Sequence, residues 1–410
     1  MLKALIILMV AILCPASFAI TKANIRYVAY PDMAKPHSSW GGIRYSTVAN
    51  KVIVTVCDHT SQIGVFDWDC ASKALTRRAW IDKSGHLQGF QWQGKVHSQV
   101  VENLKDGWLY FGTDGGEGRE ENYMDHPNGY FGGYFMKYNP KTFEIINLGN
   151  GRRYESIKEV GFDQVRQRIY GITYPSNHFI IKDLATDSLI DKGSINKAYV
   201  GRTLFTDDWG NAYYIDARGC LMKYEASADS FLWADKPLPR DTALVEGWVV
   251  RSGLRAWARF QKTNEYYFMT AWSSIHKITV QEKGIGLIED MGYMLNPAKG
   301  IELKTIINAN CPNLVCHPNH KLYMWVGGHE KTLKKDSTAL IEFDPAKKTK
   351  TVVYECPWTE LEEATGSQVV DRDGNIYYAA RYHIKGAGHG ESGSSRAVLA
   401  IFNPEKEISK

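Results

Sequence analysis

A recurrence, repeated seven times, constrains this chain of 410 residues more than any other feature. Each unit carries a strand opener, a short polar turn, a strand built on a large apolar anchor, a loop and then a hairpin. The anchors are Ile53, Tyr110, Tyr170, Tyr213, Tyr267, Tyr323 and Tyr377, at intervals of roughly 40 to 60 residues. The turns before them read STVANK, ENLKDG, FDQVRQR, TDDWGN, QKTNE, CHPNHK and DRDGN, sequences that reverse a chain tightly. After each anchor a third strand runs into a Pro, Asp or Asn turn, seen in GVFDWD, YFMKYNP, FIIKDLA, LMKYEA, IHKITV, LIEFDP and LAIFNP.

One four-stranded unit of this length cannot bury both of its faces, so its neighbours must cover them. The prediction is an all-β fold, a seven-bladed β-propeller of four-stranded antiparallel blades. The 23 tyrosines and 12 tryptophans favour strands, and a β-sandwich does not account for seven units. The seventh unit stops shortly after its third strand. NIRYVAYP, residues 24 to 31, precedes the first unit and is predicted to supply the missing strand, closing the last blade and covering an exposed edge.

Residues 1–19, with one Lys, an apolar run from Ala4 to Leu13 and small residues at Ser17 and Ala19, read as a secretory signal peptide. The apolar run is too short to span a bilayer. Residues 20–410 then form a single propeller domain, expected in a periplasm or outside the cell, as a monomer and without membrane insertion. Beyond Cys14 six cysteines remain; an even number permits bridges in an oxidising compartment, and free thiols buried in blades fit equally well. The net charge of +4 is spread along the chain, which argues against a nucleic-acid partner and is compatible with an acidic substrate.

In a propeller, loops leading into the first strand of a unit and out of the second share one face. Those positions carry His37, His97, Tyr154, Glu155 and Arg202 on the way in, and Asp114, Tyr174, His178, Arg218, His329, Arg381 and His383 on the way out. The long interruption at 113–133 adds His126 and Tyr130, and Trp40, Trp92 and Trp272 stand near the rim, as sugar platforms or as packing. Each of these residues also has a plain structural reading as a cap or a packing group; their joint placement is what suggests a site. No GxSxG elbow and no phosphate-binding glycine loop occurs. Acids are scarce at these positions, which disfavours a two-carboxylate hydrolase. His, Tyr and Arg suit elimination across a uronic acid: Arg stabilises charge developing at the carboxylate, one His or Tyr removes the C5 proton, and another protonates the departing O4. Such chemistry requires no redox cofactor.

The stretches KVHSQVVENLKDGWLYFGTDGG, DHPNGYFGGYFMKYNPKT, YESIKEVGFD and IYGITYP resemble the seven-bladed propeller family of rhamnose-glucuronate lyases and the related α-L-rhamnosidases that trim arabinogalactan, and more distantly propeller ulvan lyases. The resemblance covers most of the chain after the leader and is strongest from His37 to His178. It implies an L-rhamnose-α-1,4-D-glucuronate substrate, within an acidic oligosaccharide or polysaccharide. It matches His97 and His126 to paired lyase histidines, Tyr174 to a catalytic tyrosine and Arg202 to a carboxylate-binding arginine, with Arg218 a near competitor. His37 is the counterpart of a hydrolase histidine, and His178, Tyr130, His329 and Arg381 would line the substrate. Some members hold calcium in the central channel; no ligand run in this sequence derives one. Elimination, hydrolysis of the same linkage, ulvan cleavage and glycan binding without catalysis all remain open here.

Overall fold

The computed structural model describes residues 19–58, 62–115, 130–196, 201–239, 253–261, 263–270, 274–294, 312–327, 337–387 and 393–408. Strands dominate them and form a β-propeller. Five four-stranded sheets stand separately, each an antiparallel meander. The first comprises Ile43–Ser46, Lys51–Cys57, Ile63–Asp69 and Ala74–Trp80; the second Val101–Glu102, Leu109–Gly112, Tyr134–Tyr138 and Ile145–Asn150. The third comprises Ser156–Asp163, Arg168–Tyr174, His178–Asp183 and Leu189–Ser194; the fourth Phe205–Thr206, Ala212–Ile215, Leu221–Glu225 and Ser230–Trp233; the fifth Leu254–Arg259, Glu265–Thr270, Ser274–Thr279 and Leu287–Tyr293.

The expectation of seven separate blades needs correction: five four-stranded sheets are separate, and the remaining eight strands form one continuous sheet. Its two halves meet at the innermost strands Asn313–Cys316 and Glu363–Ser367, which run parallel and pair Asn313 with Gly366 and Leu314 with Ser367. Buried Asn313 causes the join. Its side-chain amide donates to Trp325 O and Ala364 O, both at 2.9 Å, and so stitches one half to the other. The other strands of this sheet are Leu322–Gly327, Ser337–Asp344 and Thr349–Pro357 on one side, and Ile376–His383, Ser395–Phe402 and Ile25–Ala29 on the other. Ile25–Ala29 pairs antiparallel with Ser395–Phe402, so the amino-terminal strand does cover the carboxy-terminal edge.

All seven anchors lie in the second strand of their unit and are buried. In three units the reason is local. Tyr170, Tyr213 and Tyr377 donate their phenol protons to the turn carboxylates of Asp163, Asp207 and Asp371, at 2.9, 2.9 and 2.7 Å. Burial pushes these phenols well above their ordinary pKa, and the adjacent carboxylates push further, so they remain donors. At the axis, Gln99 ties four sheets together. Its amide donates to Val160 O and Leu204 O at 2.7 Å, and its carbonyl oxygen accepts from Thr203 and from the Trp257 indole at 2.9 Å. The five described cysteines, Cys57, Cys70, Cys220, Cys316 and Cys356, are free thiols.

Candidate functional site

Trp40 is the centre of the site, and the sequence SSWGGIRY explains its position. A Cβ on Gly41 would lie 2.7 Å from His97 O, and one on Gly42 would lie 1.8 Å from Thr55 Oγ1. Glycine at 41 lets this loop press against the segment that carries His97, and glycine at 42 lets it pass Thr55 on the second strand of its own unit. The Trp40 and His97 rings stack with centroids 6.2 Å apart. Three cations surround the same indole: the Arg202 guanidinium at 4.9 Å, the Lys95 ammonium at 5.4 Å and the Arg381 guanidinium at 5.7 Å from its centroid. They come from the second, fourth and last units, with Trp40 itself from the first, all at the face where first strands begin and second strands end.

Acids interleave with the cations. Glu363 accepts Arg381 at 2.8 Å and lies 3.8 Å from Arg202 Nη1, too long for a hydrogen bond. Glu362 lies 3.5 Å from Arg381 and accepts a hydrogen bond from Ser395. Asp114 pairs with Lys158 at 2.6 Å and lies 3.9 Å from Lys95. The Lys158 ammonium also stands 4.7 Å above the Tyr174 ring, so a chain of charges joins Tyr174 to Trp40. Lys95, Lys158, Arg202 and Arg381 expose only 10–19% of their side-chain surface, which places their charges where attraction is weakly screened. Burial lowers the Arg202 pKa; Glu363 opposes that shift and Arg381 adds to it.

His97, Arg202 and Arg381 therefore meet at Trp40, and Tyr174 is linked to them through Lys158, Asp114 and Lys95. His37 is three residues from Trp40, its Nδ1 2.9 Å from the Ser38 hydroxyl. Three expected substrate contacts are engaged with protein partners instead. Tyr130 is fully buried: its hydroxyl donates to Gln93 at 3.2 Å and accepts from Ser156, and its ring packs on Trp92, so it props the loop base. His178 opens a third strand and pairs with Asp191, outward of the channel, because its strand lies one step further from the axis. Arg218 reaches back to Asp216 in its own turn at 2.7 Å, with 62% of its side chain exposed. His126 and His329 lie outside the described residues.

Lys95, Lys158, Glu362 and Glu363 were not singled out from the sequence. Glu362 precedes and Glu363 begins the seventh unit's first strand, near the position that carries His97 in the second unit, and that alignment was the available signal. Among the described residues no three His, Cys, Asp or Glu side chains cluster, and the Gln99 carbonyl is already taken by two donors.

No protein-family model matches the chain, and no curated protein matches its sequence. Solved structures match in shape. The WD40 repeats of RRP9 superpose with a TM-score of 0.58 at 9% identity, over 94% of this chain and 99% of that one. Virginiamycin B lyase from Staphylococcus aureus gives 0.56 at 9% identity, over 92% and 98%. The extracellular domain of a hybrid two-component system from B. thetaiotaomicron gives 0.54 at 10% identity, over 92% of this chain and 39% of that one. At such identities the likeness defines the class, a β-propeller, and nothing finer.

Proposed function

We propose that the chain is a secreted or periplasmic carbohydrate-active enzyme that cleaves the L-rhamnose-α-1,4-D-glucuronate linkage of arabinogalactan-type glycans by β-elimination. One observation carries the acidic-ligand part of this reading. Arg202 Nη1 and Arg381 Nε, both beside Trp40, are buried guanidinium N–H groups with no hydrogen-bond partner among the described residues. Such donors fit a carboxylate better than any neutral group. The uronate carboxylate would sit there and Arg202 would hold it as charge develops. His97 or Tyr174 would take the C5 proton, the C5–H electrons would form the C4–C5 double bond, and the C4–O4 bond would break. O4 would leave with a proton from the opposite partner, a role that the resemblance gives to His126. Hydrolysis is the second reading.

The blade count belongs to the same proposal. A hydrophobic cluster separates the two halves of the eight-stranded sheet, with Val315, Tyr323, Trp325 and Leu340 against Ala364, Tyr378 and Val398. That packing supports counting the sheet as two blades and the ring as seven.

The test is incubation with a rhamnose-capped glucuronide, followed by mass and ultraviolet absorbance. Elimination leaves an unsaturated uronate with a conjugated chromophore; hydrolysis adds water and leaves none. His97→Ala is expected to slow turnover by about a hundredfold or more. Retained turnover in that variant defeats the assignment of His97, and binding without any product leaves a glycan-binding propeller.

A further inference from the structure

The chain leading to Lys95 lines two places. Trp92 and Gln93 meet Tyr130: the Trp92 and Tyr130 rings lie 5.1 Å apart, and the Tyr130 hydroxyl donates to Gln93 at 3.2 Å. Further on, Lys95 brings its ammonium 5.4 Å from the Trp40 centroid. Gln88 and Gln91, just before, line a separate open groove of about 730 Å³ between the first and second units. Phe131 and Tyr134, just after Tyr130, line it as well, and Asn147 and Asn150 complete it from the outermost strand Ile145–Asn150. The two segments are stitched together, Gln91 Nε2 donating to the Tyr134 hydroxyl at 2.8 Å and Gln93 Nε2 to Gly132 O at 3.0 Å, so the groove and the Trp40 site share their supports.

The polar lining is made of carboxamides with capacity left over. Gln91 Oε1 accepts the Gln88 amide and one Nε2 N–H goes to Tyr134, which leaves the other. Asn147 Oδ1 accepts the Gly149 amide at 2.9 Å, and its Nδ2 has no hydrogen-bond partner among the described residues. Asn150 spends its Nδ2 on the Gly133 and Phe131 carbonyls and keeps its oxygen as an acceptor. Phe131 adds a half-buried ring, with Phe90, 47% exposed, edge-on at 5.6 Å. The Arg153 guanidinium stands 5.4 Å from the Phe131 centroid without lining the groove. Among the described residues no Lys or Arg lines it; its titratable side chains are Tyr134, exposed His86 and the exposed carboxylate of Glu144.

We propose that this groove is a second glycan subsite, which takes an uncharged sugar of the chain whose uronate sits at Trp40. Amide donors and acceptors match the paired hydroxyls of such a sugar, and an aromatic ring packs against its C–H face. The charge of the two places sorts the sugars. Cations gather around Trp40 and hold an acid, whereas the groove offers a carboxylate and no lysine or arginine, and so repels one. The assignment of both to one glycan rests on reading the Trp40 site as a uronate site; the groove's preference for an uncharged sugar rests on its own lining.

The experiment is calorimetric titration of the full chain with galactotetraose, an uncharged probe, beside cleavage kinetics on a rhamnosyl-glucuronide with and without that tetrasaccharide attached. Wild type is expected to bind galactotetraose and to show a KM about tenfold lower for the extended substrate. Asn147→Ala, which disturbs only the cap on the Gly149 amide, is expected to weaken galactotetraose about two- to tenfold, the worth of one hydrogen bond. Phe131→Ala is expected to weaken it about tenfold or more, and Arg202→Met to leave its affinity unchanged. No binding by wild type overturns the proposal, as does wild-type affinity in both groove variants; the wild-type titration and Asn147→Ala answer without Phe131→Ala having to fold. Binding is read without turnover, so galactotetraose bound with no glucuronide cleaved refutes the elimination reading and leaves the groove, whereas cleavage with no galactotetraose binding and equal KM for both substrates refutes the groove alone.

Discussion

At the end of the ring where first and second strands turn, Asp371 accepts four hydrogen bonds, from the Asp373 and Asn375 amides, the Asn375 side chain and Tyr377. Asp207 does the same with Trp209, Asn211 twice and Tyr213. At the other end Arg202 and Arg381 each keep a buried N–H without a hydrogen-bond partner among the described residues. Both ends are built from the same strands, yet one closes its polar groups and the other leaves them open. The closed end fixes the register of each unit. The open end stores unfilled donors, and that is what a binding site requires.

Substitutions at the two ends are expected to separate binding from stability. The largest effect is expected from Arg202→Met: a loss of about 10²–10³ in kcat/KM on a glucuronide, as for the removal of one donor aimed at developing charge. Stability should hardly change, because Glu363 keeps Arg381 at 2.8 Å. Arg202→Lys should rescue poorly, since an ammonium cannot reproduce the planar fork. Steady-state kinetics beside a urea titration of each variant checks both halves. An Arg202→Met protein that unfolds early and still turns over would reverse the comparison.

Asp371→Ala is the reciprocal case, next in size. It leaves the buried Tyr377 hydroxyl without its turn acceptor and undoes an Asx-type turn, which should cost about 2–3 kcal/mol. The urea midpoint should fall with an unchanged slope, and activity per folded molecule should stay the same. If activity falls in proportion beyond the folded fraction, the turn end communicates with the site and the two ends are not independent.

The closed end was legible in the sequence and the open end only in part, for one physical reason. A turn Asp and the strand Tyr that it accepts from stand six or seven residues apart, as in Asp371 with Tyr377 and Asp163 with Tyr170, so the contact is written locally. The group around Trp40, with Tyr174 and Lys158, draws on five units. His97, Tyr174, Arg202 and Arg381 could be placed by position, but the pairing of Arg381 with Glu363 depends on the register between two strands of one unit, and that of Lys158 with Asp114 arises only when neighbouring units pack. His178 and Arg218 misled because they share the right face while lying at the wrong radius. The join through Asn313 was invisible for a similar reason: its amide bonds Ala364, a residue of the next unit.

Glu155 offers the smallest and sharpest test, because it stands at the open end yet is closed like the turns. Burial pushes its pKa up, but hydrogen bonds from Ser176 and Thr173 at 2.5 Å and from Arg152 at 2.8 Å outweigh that and hold it below the usual glutamate value. A carboxyl with a depressed folded pKa stabilises the fold above its unfolded value, about 4.3, and loses that contribution as pH falls through the folded value. Glu155→Gln should therefore be less stable than wild type at neutral pH, by on the order of 1 kcal/mol after solvent screening. The gap should narrow as the medium is acidified below about pH 4. Urea midpoints of both proteins at neutral and acid pH measure it. A gap that stays constant into acid would mean that Glu155 acts through shape and not through charge, and the line between closed and open groups would then have to be drawn by packing instead of by hydrogen-bond satisfaction.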